Sequence, residues 1–184
     1  MSHINDDIII DRILDGDESQ YKILIDKYKV YAFTLAMNVL GNREDAEEVA
    51  QDSFIKAFKN LKKFNREAKF STWFYRIVTN TAITRTRKSR IVGEDIDAAY
   101  AVGVAAKSEL EIEDQKTFIR KGIALLSDQD KLMISLFYLK ELSLDEIAQV
   151  TELKTNLIKV KLHRARKRLA DHLKTILKEE ALNL

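Results

Sequence analysis

LSLDEIAQVTELKTNLIKVKLHRARKRL, residues 142–169, holds two short helical patterns separated by a turn, and the second is overwhelmingly basic. Ser143 is placed to cap the first pattern. Glu146, three residues on, can reach back to the cap's own N–H, the reciprocal spacing of a capping box. Leu144, Ile147, Ala148 and Val150 supply an apolar face. The spacing breaks over residues 151–154, and from about Thr155 a new stripe runs through Ile158, Leu162, Ala165 and Leu169 at steps of four, three and four. The opposite surface carries Lys159, His163 and Arg166, flanked by Lys161, Arg164, Lys167 and Arg168, with no Asp or Glu from Leu153 to Ala170. Such a surface is suited to an anion. Basic amphipathic helices also serve as solvated faces, membrane-surface segments or calmodulin-type targets. The capped helix and short turn ahead of this one point instead to a helix-turn-helix, whose second helix enters the major groove of DNA.

The rest of the chain fits an all-α protein. There is no proline and little glycine, and apolar residues recur at helical steps with no convincing alternation of period two. The length allows one domain or two small ones. Cysteine is absent, which excludes disulfides, thiolate metal sites and a thiol nucleophile. The N-terminal MSHINDDIII lacks a basic stretch ahead of an apolar core, and no apolar run approaches the roughly 20 residues that span a bilayer, so a cytoplasmic protein is expected. The net charge of +2 conceals segregation: bases crowd residues 56–90 and 154–174, and acids crowd 6–18, 43–52 and 94–114. Two basic surfaces suggest two nucleic-acid contacts; the acidic ones suggest a further partner. An enzyme is disfavoured, because His3, His163 and His172 are the only histidines, none at metal-ligand spacing with a carboxylate, and no Gly-rich phosphate loop is present. No cofactor or metal is expected.

Helices are expected over about 6–14 and 18–39, the second with Leu24, Tyr28, Tyr31, Leu35 and Val39 on its inner stripe. Gly41 ends that helix and Asn42 caps the next, NREDAEEVAQDSFIKAFKNLKKF. Its buried seam is Ala46, Ala50, Phe54, Ala57, Phe58 and Leu61. Acids fill the other side of its N-terminal half. Acids there complement the helix macrodipole, but so dense a cluster also suits docking on a basic protein partner. After the loop Asn65-Arg66-Glu67-Ala68-Lys69 comes FSTWFYRIVTNTAITRTRKSR, with Ser71 or its neighbour as cap and Phe70, Phe74, Ile77, Val78 and Thr81 facing inward. Arg76, Asn80, Ile83 and Arg87 lie opposite. Rings interleaved with bases and amides suit single-stranded nucleic acid, where stacking is worth about 1 to 3 kcal/mol per base; a lone Trp73 near a helix start also fits a plain core residue. Residues 91–107 are read as a linker, with a possible helix over 97–106. A second helical domain follows, with helices over about 108–125 and, capped by Ser127, 128–139, then the helix-turn-helix, whose last helix extends through Ile176.

GNREDAEEVAQDSFIKAF, FSTWFYRIVTN and IKVKLHRARKRL, in that order and at these separations, closely resemble the sigma-70 family of bacterial transcription initiation factors, in particular its small extracytoplasmic-function (ECF) group. The resemblance covers about residues 21–173. It implies two helical domains joined by a flexible linker, in the division 1–90, 91–107 and 108–184, that bind core RNA polymerase and promoter DNA, and an anti-sigma factor as a common regulator. By position, Asp45, Glu48, Gln51 and Asp52 would contact polymerase. Asn65, Arg66 and Lys69 of the base-capturing loop, with Trp73, Arg76 and Asn80, would contact the -10 element. Lys154, Thr155, Asn156, Lys159 and His163 would lie near base edges or phosphates of the -35 element, and Arg166 and Lys167 on phosphate alone. Glu94, Asp95 and Asp97 of the linker would imitate RNA charge or merely solvate a tether. The chain departs from the family pattern in the turn, where the usual glycine is replaced around Thr151-Glu152, and at Asn156-Leu157, where Gly-Thr is common.

Overall fold

The computed structural model describes residues 5–92, 110–139 and 141–182. Helix α1, Asp6–Leu14, starts where the Asn5 side chain accepts the Asp7 N–H, and it buries Ile9, Ile10 and Ile13. A 3-10 turn, Glu18–Gln20, leads into α2, Tyr21–Leu40, which stops at Gly41. Gly41 has φ 79°, a left-handed conformation that glycine adopts without the Cβ clash other residues meet. Helix α3, Arg43–Asn60, is capped by Asn42, whose side chain accepts the Asp45 N–H at 2.8 Å. A 3-10 turn, Leu61–Lys63, ends it, and α4 spans Phe70–Val92.

These helices form a bundle in which α2, α3 and α4 pack on one another around aromatic rings. Phe74 is fully buried, its ring centroid 4.6 Å from Phe54 and 6.0 Å from Tyr28. Such ring pairs add roughly 0.5–1.5 kcal/mol each beyond area burial. Trp73 lies at the cluster's edge, 5.3 Å from Phe64 and 5.7 Å from Phe70, and is half-buried. Its body packs in the core and its rim meets solvent.

The second domain comprises α5, Leu110–Ala124; α6, Asp128–Ile134; α7, Leu144–Thr151; and α8, Thr155–Leu182. Ser127 caps α6 as expected, and Ser143 with Glu146 closes the full capping box on α7. The stripe Ile158, Leu162 and Ala165 is buried against Ile147, Val150 and Leu136. Gly122 allows a close approach, since a Cβ there would sit 2.8 Å from the Leu173 side chain.

Several expectations need correction. Tyr31 is exposed and Ala32 is fully buried instead, because the face that α2 turns inward is centred on the side of Tyr21, Ala32, Ala36 and Val39, which leaves Tyr31 at its edge. The helix expected to run through Phe64 breaks at Asn60 into the 3-10 turn. Ser71 lies inside the first turn of α4, which begins at Phe70, with the Trp73 N–H bonded to the Lys69 carbonyl. The helix expected to reach Leu139 becomes a π-helical turn over Ser135–Leu139. Ser135 and Leu136 within it are both buried. Helix α8 continues past Ile176 to Leu182. Residues 93–107 of the expected linker, with Glu94, Asp95, Asp97 and the 97–106 helix, lie outside the described residues; positions 91 and 92 belong to α4.

The two domains pack on each other. The C-terminal part of α2 meets α6, and α4 meets α7. At the centre of this contact the Asn38 amide donates to Ser135 Oγ at 2.6 Å, with both residues buried.

Candidate nucleic-acid and protein interfaces

On α8 the outward stripe consists of Asn156, Lys159, Val160, His163 and Lys167, at helical steps and all exposed. The apolar stripe behind it is spent on the domain core, which fixes the helix and leaves these side chains pointing away. Lys154 precedes the first turn, its carbonyl accepting the Leu157 and Ile158 N–H groups. Thr155 is partly buried, and its hydroxyl donates to Asp145 at 2.9 Å, tying α8 to α7. The expected cations divide into two sets. Arg166 lays its guanidinium over the rings of Phe137, 4.8 Å away, and Tyr138, 5.3 Å away. Arg168 pairs with the largely buried Asp130 at 2.6 Å, and Lys161 donates to Gln129. Lys159, Arg164 and Lys167 make no ion pair among the described residues. Sequence reasoning missed Leu157 and Val160, 43% and 45% exposed on this surface. The available signal was apolar residues off the core stripe of a basic helix, which suit contact with thymine methyls.

On α4 and the loop before it, the structure brings Trp73 and Asn80 together with Lys56, Lys63, Ile77 and Thr84 around a groove of about 410 Å³. Lys56 and Lys63 were not among the expected contacts, although they open the basic stretch of the sequence. Lys56 donates to Thr81 at 3.1 Å. A neighbouring cleft of about 340 Å³ is lined by Asn65, Thr72, Trp73 and Arg76, and by Gln149 from the other domain. The three expected cations of this region are paired within the chain. Arg66, in the left-handed region at φ 62°, pairs with Asp11 of α1; Lys69 donates to Glu146 of α7 at 2.8 Å; Arg76 pairs with Glu152. The hydrogen bond from Lys69, aided by those from Ser143, holds the Glu146 carboxyl below its ordinary range, and the same bond raises the Lys69 ammonium above its own.

On α3 the four expected polymerase contacts also separate. Asp45 is partly buried and accepts from Asn42 and from Arg85 of α4, each at 2.8 Å; Glu48 joins the same guanidinium at 3.0 Å. These two acids brace α3 against α4. Gln51 and Asp52 are exposed. Gln51 and Glu47 edge an apolar groove of about 690 Å³ between α2 and α3, whose walls include Ile25, Phe33, Phe54 and Ile55. Among the described residues no helix is long and apolar enough to cross a membrane.

Residues 24–91 match the family model for Sigma-70 region 2, and residues 119–169 match Sigma-70, region 4. The chain is 32% identical over 179 residues to the ECF RNA polymerase sigma factor SigW of Bacillus subtilis, covering 91% of this chain and 96% of the relative. It is 26% identical to the ECF RNA polymerase sigma-E factor of Haemophilus influenzae, covering 95% and 98%. Its fold is similar to that of the sigma factor RpoE in complex with the anti-sigma factor NepR from Bartonella quintana, with TM-score 0.71, 24% identity and coverage of 84% and 96%. It is also similar to CnrH in complex with the cytosolic domain of CnrY, with TM-score 0.66, 21% identity and coverage of 91% and 96%.

Proposed function

The chain belongs to the ECF group of the sigma-70 family and is a promoter-recognition factor, and on that premise we propose how its surfaces divide the work. Residues 1–90 bind core polymerase and the -10 element, 91–107 link, and 108–184 bind the -35 element. In the second domain Asn156, Lys159, Val160 and His163 enter the major groove, with Lys154 and Lys167 on flanking phosphates. Thr155 and Arg166 mainly hold the motif in shape, since their polar groups already have partners within the domain. In the first domain, Trp73, Asn80, Lys56 and Lys63 receive the unpaired strand, stacking a base on the indole rim while the cations meet phosphate. The neighbouring cleft of Asn65, Trp73 and Arg76, flanked by Lys69 and Arg66, takes the extruded base.

Polymerase docks across the exposed side of α3 through Gln51 and Asp52, with Glu48 beside them and Asp45 orienting the helix from behind. The adjoining apolar groove supplies the contact area that a few polar groups lack. An anti-sigma factor is a further proposed partner, as in the similar complex of RpoE with NepR. The factor works in the cytoplasm and has no catalysis of its own: melting is driven by binding energy for the unpaired strand.

The observation that carries this reading is the meeting of Trp73 and Asn80 with Lys56 and Lys63 in one groove, in a chain whose second domain presents a basic recognition helix. The test is Asp52→Lys together with Gln51→Ala. Binding to core polymerase should fall while binding of a duplex -35 site by the same full chain is kept. Equal loss of both would mean misfolding, and unchanged polymerase binding would remove α3 from the contact.

A further inference from the structure

Between the domains lies a cavity of about 430 Å³, walled by α2 and α4 of the first domain and by α6, α8 and the turn before α8 of the second. Its inner wall is apolar: Val39, Leu132 and Met133 are buried there, with Ile83 and Leu153 partly buried beside them. Its rim is polar. Asn80, Arg87 and Gln129 are exposed, and Lys161 is partly buried. The Arg87 guanidinium makes no ion pair among the described residues. Lys161 donates to Gln129 at 3.1 Å, which uses one of the ammonium's donors and leaves the others. The acid of this rim, Asp128, already has a partner in the chain.

Thr79, 1% exposed, also lines the cavity. Its hydroxyl and that of Thr72 are the two buried side-chain polar groups without a hydrogen-bond partner among the described residues. Thr84 and Thr86 of the same helix donate their hydroxyls back to the carbonyls of Asn80 and Ala82. Thr79 does not take that route, and a buried polar group left unmet is costly enough to call for a partner. A water would satisfy the hydroxyl, but a water has no use for an apolar wall and two cations.

We propose that this cavity binds a small amphipathic anion. Its compact apolar body sits against Val39, Leu132 and Met133, a polar atom of that body meets Thr79, and its carboxylate or sulfonate is held at the rim by Arg87 and Lys161. An apolar pocket at a domain interface with a few convergent polar groups is the general form of small-molecule sites, and its volume lies within their range of roughly 300–1,000 Å³. Because both domains line the cavity, an occupant contacts both and strengthens their association by mass action. Of the residues assigned above to the unpaired strand, Asn80 alone lines this cavity as well, so the site stands without that assignment.

The probe is anilinonaphthalene sulfonate, which joins an apolar ring system to one anionic group and fluoresces when shielded from water. Titrated into the full chain without DNA, it should bind saturably, with a dissociation constant on the order of tens of micromolar, and raise the melting temperature. N-phenylnaphthylamine, the same rings without the sulfonate, should bind about tenfold more weakly. Arg87→Ala should weaken the sulfonate about fivefold; because Arg87 is exposed, misfolding does not account for such a loss. Thr79→Val keeps the shape and removes the unmet hydroxyl, so the fold should be kept while affinity falls about fivefold. Ile83→Trp fills the cavity and should abolish binding. Binding that survives Ile83→Trp, or a neutral probe bound as tightly as the anion, overturns the proposal. So does a Thr79→Val chain that binds like the parent, since the hydroxyl then meets nothing. A signal lost instead with Ile55→Ser belongs to the groove between α2 and α3 and overturns the site as well.

Discussion

Helices α4 and α8 each carry a basic stripe opposite an apolar one, yet their cations are differently employed. On α4 and the loop before it, Arg66, Lys69, Arg76 and Arg85 are each held by a carboxylate of the chain. On α8, Lys159, Arg164 and Lys167 face outward without an ion pair among the described residues. The cations of α8 are presented, whereas these four are held by partners of the chain. The difference suits what each is proposed to meet: duplex is always available to an anchor, whereas an unpaired strand exists only once opening has begun. Charge alone therefore does not make a helix ready to bind; what the rest of the chain places on that charge decides it.

The largest expected effect comes from removing the support of the presented surface. Ile158 is fully buried on the inner face of α8, so Ile158→Ala should cost about 2–5 kcal/mol of stability. Denaturant unfolding should show that loss, duplex binding should fall with it, and Trp73 should become more accessible to acrylamide as the cleft it shares with Gln149 loosens. Trp73 remaining protected would mean that the cleft survives without an intact α8 core.

Next is the seam between the domains. Ser135→Ala takes a buried partner from the Asn38 amide and should weaken the interdomain contact by roughly 1–3 kcal/mol. Increased acrylamide quenching of Trp73 with duplex binding unchanged would sharpen the contrast between the two surfaces; a matching loss of duplex binding would blur it. For α8 itself, Lys159→Ala and Lys167→Ala should each lower the slope of log affinity against log salt by about 1. Arg166→Ala should change that slope less and stability more, because its guanidinium lies on Phe137 and Tyr138. A full unit of slope lost from Arg166→Ala would return that residue to the phosphate contacts.

The smallest effect is that of pH on the pair of Lys69 and Glu146. Glu146 has a lowered pKa in the fold, so its stabilisation is present above its ordinary value of 4.5 and is lost as pH falls through the lowered one. Lys69 has a raised pKa, so its share is present below its ordinary value of 10.5 and is lost as pH rises through the raised one. The Lys69–Glu146 pair is thus intact across the neutral range. Trp73 quenching should be flat there and rise on acidification, and Glu146→Gln should remove most of that rise.

The sequence by itself determined what depends on neighbours along the chain. The capping box of Ser143 and Glu146, the caps Asn42 and Ser127, the stop at Gly41 and the stripe Ile158, Leu162 and Ala165 all follow from periodicity and local hydrogen bonding, and all are found. The order of the motifs was enough for the family. Only the tertiary structure decided how each charged residue is used. Asp45 and Asp52 look alike in an acidic helix, but one faces Arg85 and the other solvent; Arg166 and Lys167 look alike in a basic one, but one lies on two rings. The same holds for the π turn that brings Ser135 to Asn38, and for Glu152 on Arg76. Helical period sets which way a side chain points, whereas its partner comes from a helix packed alongside, from a distant part of the chain, at a register that no local pattern carries.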